Sequence, residues 1–294
     1  MDIEQRSVSV DGLEIGYLAC GDIGPLAVCL HGFPDSAWTW RHLLPSLASA
    51  GYRAVAPWLR GYAPTAVPAD GRFQNGASVR DVNGLHDALG GDGDAVLIGH
   101  DWGARIATGA AVVAPERWSK VVTSAVPPAA AVAEGFLSYR QLRRSWYMFF
   151  FQNPLADFVV GMNDLDFVDS LWDDWSPGYS REASAEDRAN VKAALREPAN
   201  LAAAIGYYRH TLQPDLQAPE LAAEEAAIGG LPPQPHLYLH GVDDGCMGAE
   251  IAEKARNVLT KDGDRVELVA GTGHFLHLEA PGEVNGIILD FLAQ

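Results

Sequence analysis

The chain has 294 residues, 48% of them hydrophobic and 20% charged, which suits a globular protein with one large core and room for an insertion. A formal net charge of −17 argues against nucleic acid or an anionic membrane as partner, since both need a basic face, and leaves neutral or cationic small molecules open. Three scattered cysteines, Cys20, Cys29 and Cys246, have neither the spacing of a disulfide framework nor that of paired metal ligands, so reduced, buried thiols are expected.

The N-terminal MDIEQRSVSVDG lacks an apolar leader core, and no run approaches the roughly 20 apolar residues of a membrane span, so the expectation is a soluble protein of the cytoplasm. Short β-branched runs follow one another with helical stretches between them: SVSV, EIGYLAC, LAVCLHG, YRAVAPWL, AVLIGHD and KVVTSAV, then much later HLYLHG and RVELVAG. This rhythm predicts an α/β fold with a mostly parallel sheet. LAVCL and AVLIG are continuously apolar, as central strands covered by helices on both faces must be. After KVVTSAV the strand rhythm stops for about a hundred residues, too long for an ordinary connection, so that segment has to fold by itself. It opens at PPAAAVAEG, carries the helical stretches SAEDRANVKAAL and NLAAAIGYYRHTL, and closes at GGLPPQP. The division expected is a core of residues 1–127 and 231–294 with a helical cap of residues 128–230 over the carboxyl edge of the sheet, where open α/β sheets bind ligands. Oligomeric state is not legible.

The stretch VLIGHDWGAR reads as a strand, a sharp turn and a helix that present Asp101 where a nucleophile would stand. Gly99 and Gly103 flank it at two positions either side, as so tight a turn requires. The competing reading is an exposed aspartate capping a helix. Two further signals favour the nucleophile, because a triad on such a sheet runs nucleophile, acid, histidine along the chain. His274, in VAGTGHFLHLEAP, follows Gly273 on the loop after the last strand; His277 competes, but lies between Leu276 and Leu278 where a helix should begin. The acid comes from LHGVDDGCM, with Asp244 favoured and Asp243 left open. In LHGFPDSAWTW the loop after the strand LAVCL would offer the backbone N–H of Phe33, and Trp102 would offer the second donor of an oxyanion hole. Cys246 reads as a small apolar residue at a strand end, and His100 and His31 as side chains bonded to backbone. No HExxH or CxxC occurs and GTGHFL lacks the third glycine of a dinucleotide fingerprint, so neither metal nor other cofactor is expected.

Together HGFPD, GHDWGA, the late DD pair and GHF resemble the epoxide hydrolase branch of the α/β-hydrolase superfamily, whose relatives include haloalkane dehalogenases, and the likeness runs over nearly the whole chain. The resemblance implies the α/β-hydrolase fold with an inserted cap, and two cap tyrosines. WYMFFFQNP supplies Tyr147 with Phe151 and Gln152, and GYYRHTL supplies Tyr208 with Arg209. It further implies attack by Asp101 on a small apolar epoxide held by Tyr147 and Tyr208, and hydrolysis of the resulting ester by water that His274, oriented by Asp244, deprotonates. A vicinal diol results. Trp38, Phe150 and Phe151, with Trp172 and Trp175, are expected around an apolar pocket.

A haloalkane dehalogenase would use the same triad and hold a halide instead. Trp102 suits that role, but Phe33 stands where such enzymes often have Asn, and Arg105 is the only nearby candidate for the arginines of the fluoroacetate type. A serine esterase is excluded at position 101. A non-catalytic binding protein on the same fold is the alternative from another class.

Overall fold

The computed structural model describes residues 2–294. Eight strands form one sheet: β1 (Glu4–Val10), β2 (Leu13–Cys20), β3 (Leu26–Leu30), β4 (Arg53–Pro57), β5 (Ala95–His100), β6 (Trp118–Ser124), β7 (His236–Gly241) and β8 (Arg265–Val269), in the order β1-β2-β4-β3-β5-β6-β7-β8. β1 with β2 and β2 with β4 pair antiparallel, and every pairing from β4 through β8 is parallel. β3, β5 and β7 are buried at every position, which explains why LAVCL and AVLIG show no alternation: helices cover both of their faces. Helices Asn75–Ala88, Trp102–Val113 and Ala222–Ala227 pack as one group, and Leu43–Ser49 with Pro281–Leu292 as another.

The segment between β6 and β7 is helical, as its composition predicts. It includes Ala129–Gly135, Trp146–Phe150, Asp166–Trp175, Ala185–Leu195 and Pro198–Leu212. Trp172 fastens this insertion to the sheet's loops: its ring stacks on Phe275 with centroids 3.7 Å apart, and its Nε1–H donates to Pro34 O at 2.8 Å. Asn200 Nδ2 donates to Gly61 O at 2.7 Å on the other side. Both contacts are buried, so each unmatched group would cost roughly 1–3 kcal/mol if its partner were removed. The insertion therefore has a defined seat over the loops that follow β3, β4 and β8. Among the described residues no helix is long and apolar enough to cross a membrane.

Candidate active site

β5 runs straight into Asp101, whose backbone adopts φ 53° and ψ −117°, and helix Trp102–Val113 begins at the next residue. A non-glycine residue in this region costs on the order of 1–3 kcal/mol and persists only where neighbours over-determine it. Here they do. Asp101 N–H donates to Ser124 O at 3.2 Å, and Ala104 N–H returns to Asp101 O at 3.0 Å. A Cβ on Gly99 would overlap the Gly103 carbonyl, and one on Gly103 would overlap the backbone of Leu30 and His31, so strand, turn and helix close on one another only with glycine at both places. The Asp101 side chain is buried and makes no capping hydrogen bond into the first turn of the helix behind it, unlike the exposed cap of the competing reading.

The carboxylate points instead toward the loop after β3. Phe33 N–H donates to Asp101 Oδ1 at 2.8 Å, and the Trp102 N–H acts on the same carboxylate. A Cβ on Gly32 would run into the Asp101 side chain, so the loop must carry glycine there. His274 Nε2 stands 3.8 Å from the other oxygen, Oδ2, and His274 Nδ1 lies 2.9 Å from Asp244 Oδ2. A carboxylate can only accept, so Nδ1 carries the hydrogen and the Nε2 lone pair faces Asp101. Asp244 is itself held by the N–H groups of Cys246 and Met247, which donate to its Oδ1 at 2.7 and 2.9 Å. Asp243 is exposed.

Burial and pairing oppose one another at these groups. Burial raises the Asp101 pKa above the ordinary carboxylate value, and the His274 charge and the two backbone N–H groups limit the rise. Burial pulls His274 down, but the Asp244 and Asp101 charges and the Asp244 hydrogen bond outweigh it, and the net shift is upward. Two tyrosines from the insertion complete the cluster. Tyr147 and Tyr208 are buried with ring centroids 5.5 Å apart, and Tyr208 lies 4.8 Å from the Trp102 ring. Burial pushes both phenols well above their ordinary value of 10.0, so both remain protonated donors at neutral pH. The Tyr208 hydroxyl has no hydrogen-bond partner among the described residues.

Asp101, Trp102, Tyr147 and Tyr208 line one cavity of about 190 Å³, with Met148, Leu212 and Cys246 among its other walls. Trp38, Phe150 and Phe151 do not line it, contrary to the expectation from their aromatic character. On the helix that bears Tyr147, Phe150 stacks on Phe167 at 5.8 Å, away from Asp101. Phe151 is fully buried behind the cavity wall against Phe33 and Tyr208, and Trp38 belongs to the turn Ala37–Trp40, packed on the core. Trp175, expected as pocket wall, has a different job. Its carbonyl accepts both the His274 N–H and the Gly245 N–H, at 3.0 and 3.1 Å, tying the histidine loop to the acid loop.

Cys246 is more than a strand-end filler, since it sits in the loop beyond β7 with its Sγ 3.4 Å from the Tyr147 hydroxyl; burial holds the thiol well above its ordinary value. His277 belongs to the helix Leu276–Glu279, where it stacks on Trp40 and bonds Thr39. His31 and His100 bond backbone groups: Leu59 N–H donates to His31 Nε2, and His100 Nε2 bonds His274 O. Asp244, Cys246 and His274 offer three potential metal donors, but the two Asp244 oxygens already accept from two backbone N–H groups and from His274.

With this geometry in hand, residues 25–281 match the family model described as the alpha/beta hydrolase fold. The chain is 32% identical to epoxide hydrolase 4 of Mus musculus over 96% of its own length and 77% of that protein. It is 28% identical to epoxide hydrolase A of Mycobacterium tuberculosis, covering 98% of this chain and 97% of the relative. Among solved structures, epoxide hydrolase A of Mycobacterium thermoresistibile superposes with a TM-score of 0.77 at 26% identity, covering 99% and 98% of the two chains. An epoxide hydrolase from Vigna radiata gives 0.77 at 27% identity over the same shares. The chain belongs to the alpha/beta hydrolase fold family and, within it, to the epoxide hydrolase family, and it is a hydrolase.

Proposed function

We propose that the chain converts an apolar epoxide and water to a vicinal diol, with the helices of residues 128–230 serving as a cap that brings the acid to the nucleophile. The observation that carries this reading is the meeting of two buried, protonated phenols, Tyr147 and Tyr208, with the Asp101 carboxylate in one cavity. An ionised carboxylate needs no base to attack an sp³ carbon, whereas the ring oxygen leaves only as it gains a hydrogen bond or a proton. Asp101 Oδ2 is the attacking oxygen, because Oδ1 is held by the Phe33 N–H. Its bond to carbon forms as the carbon–oxygen bond of the ring breaks, and the alkoxide takes a proton from a tyrosine.

The ester is then opened at its carbonyl carbon. Water between His274 Nε2 and Asp101 loses a proton to Nε2 while the hydroxide adds to the carbonyl, and Asp244 stabilises the imidazolium that results. Negative charge gathers on Oδ1, where the Phe33 and Trp102 N–H groups meet it; one such donor is typically worth roughly 3 kcal/mol. Collapse expels the alkoxide, which takes the proton held by His274 and leaves as the second hydroxyl of the diol. The proton that the Asp101 carboxyl acquired with the hydroxide passes to the tyrosinate, so that the tyrosine is restored and Asp101 is ionised again. The sum is epoxide plus water to diol. One observation favours the dehalogenase reading instead: Trp102 Nε1 is buried without a hydrogen-bond partner among the described residues and could hold a halide. Phe33, however, adds no side-chain donor, and the tyrosine pair would then have no task. Supplying styrene oxide and, separately, 1-bromohexane decides between them. Phenylethanediol from the first with no bromide from the second supports the epoxide reading; bromide release without diol overturns it.

A further inference from the structure

The turn Trp175–Ser176, where the insertion's helix Asp166–Trp175 ends, enters between the two loops that carry the acid and the base. Only glycines admit it. A Cβ on Gly245 would overlap the Asp174 carbonyl, and one on Gly273 would overlap Trp175 O and the Ser176 backbone. Three consecutive N–H groups around the base then end on this turn or on its one core partner. His274 N–H donates to Trp175 O at 3.0 Å, and Phe275 N–H donates to Ser176 Oγ at 3.1 Å. Gly273 N–H donates to the two carboxylate oxygens of Glu279, at 3.0 and 2.9 Å. Ser176 Oγ–H completes the network by donating to Glu279 Oε1 at 2.7 Å. The Trp175 ring meets the imidazole edge-on, with centroids 5.0 Å apart. Neither Ser176 nor Glu279 lines the 190 Å³ cavity, so the reacting atoms have no direct use for them.

We infer that Ser176 and Glu279 are positioning residues for His274, so that hydrolysis of the ester, unlike ring opening, depends on the insertion being seated on the histidine loop. This rests on the epoxide hydrolase reading above. Attack by Asp101 needs no base, whereas the second step needs the His274 Nε2 lone pair aimed at a water beside the Asp101 carbonyl. Asp244 fixes the imidazole only at Nδ1, and a single hydrogen bond lets the ring swing with its loop. The backbone on either side of His274 has to be fixed separately. The Ser176–Glu279 pair does this, with a carboxylate as acceptor, which makes the stronger kind of hydrogen bond. Ser176 belongs to the insertion and Glu279 to the core helix Leu276–Glu279, so their bond exists only while the two parts are together. Asp101, by contrast, is held by Phe33 and Ser124, both of the core. An insertion lifted off the sheet would leave the nucleophile in place and the base loose.

The test follows a single turnover of styrene oxide by the wild type, Ser176→Ala and Glu279→Gln, with the ester on Asp101 counted by intact mass after an acid quench. In both variants ester formation should stay within about twofold of the wild type while hydrolysis slows about tenfold or more, since misplacing a catalytic group by about 1 Å can cost 10²-fold. The double variant should be little slower than either single one, because both changes remove the same link. Equal slowing of the two steps, as a general loss of structure would give, overturns the inference, and so does unchanged hydrolysis. If the wild type forms no ester, the reaction assigned above is wrong. Exchange of the His274 Nδ1 proton with solvent, followed by NMR and assigned by its loss in His274→Ala, then decides the positioning role by itself. Exchange faster by about tenfold or more in Ser176→Ala and Glu279→Gln supports it, and exchange at the wild-type rate overturns it.

Discussion

His274 Nδ1 and Asp244 Oδ2 stand 2.9 Å apart with both side chains fully buried, while Asp243, next in the chain, is exposed to water. The order of two adjacent aspartates therefore has a functional consequence. Asp244→Asn replaces an acceptor that fixes the imidazole's tautomer, and a loss of about 10³ to 10⁴ in turnover is expected. Asp243→Asn should leave turnover within about twofold, as surface substitutions ordinarily do. Steady-state rates of the two variants on styrene oxide check this, and comparable losses in both would contradict the assignment.

The phenols of Tyr147 and Tyr208 should act on ring opening and not on ester hydrolysis. Each Tyr→Phe change is expected to slow formation of the ester by about 10²-fold, a usual size for removal of one general acid. The double change should slow it by far more than either alone. Rapid-mixing measurement of tryptophan fluorescence on binding and alkylation reports that step. Slowing confined to the later hydrolysis would be contrary to the proposed roles.

Turnover should depend on pH through His274. The imidazole must be neutral to accept a proton from water, and its pKa is raised from the ordinary 6.5 because the pull of Asp244 and Asp101 overcomes burial. Rates should then fall about tenfold per unit as pH drops through this raised value. The upward shift of Asp101 steepens the acid limb further, since protonation removes the nucleophile. Toward alkaline pH no decline is expected up to about 10, because both phenols titrate well above 10.0. A kcat profile falling between pH 7 and 9 would count against tyrosine acids.

Much of this site was legible because its geometry is imposed by backbone. Gly99 and Gly103 around Asp101 mark a turn that no side chain survives, and Gly273 before His274 leaves that loop pressed against Trp175 and Ser176. Such constraints sit in a few adjacent residues and can be read from them. The pocket walls could not be read in this way. Tyr147, Phe150 and Phe151 share one short run of aromatics, and which of them faces Asp101 depends on how the helix Trp146–Phe150 is rotated against its neighbours. Trp38, Phe150 and Phe151 were expected at the cavity on composition alone, and none lines it. The roles of Cys246 and the Trp175 carbonyl escape a local reading for the opposite reason: they come from contacts between segments far apart in the chain, which no local pattern carries.

The insertion's seat predicts a stability effect separate from chemistry. Trp172 is fully buried, stacked on Phe275 and bonded to Pro34 O, so Trp172→Ala should cost about 3–5 kcal/mol in unfolding free energy. Denaturant titration measures it. A loss below about 1 kcal/mol would mean that the insertion is held elsewhere.

The most direct measurement is the intact mass of a His274→Ala variant after mixing with styrene oxide. Without its base the variant should attack and then stall. An adduct of the whole epoxide mass, mapped by peptide analysis to Asp101, is the predicted result. An unmodified chain, or an adduct on Cys246 or another residue in place of Asp101, would contradict the carboxylate as nucleophile.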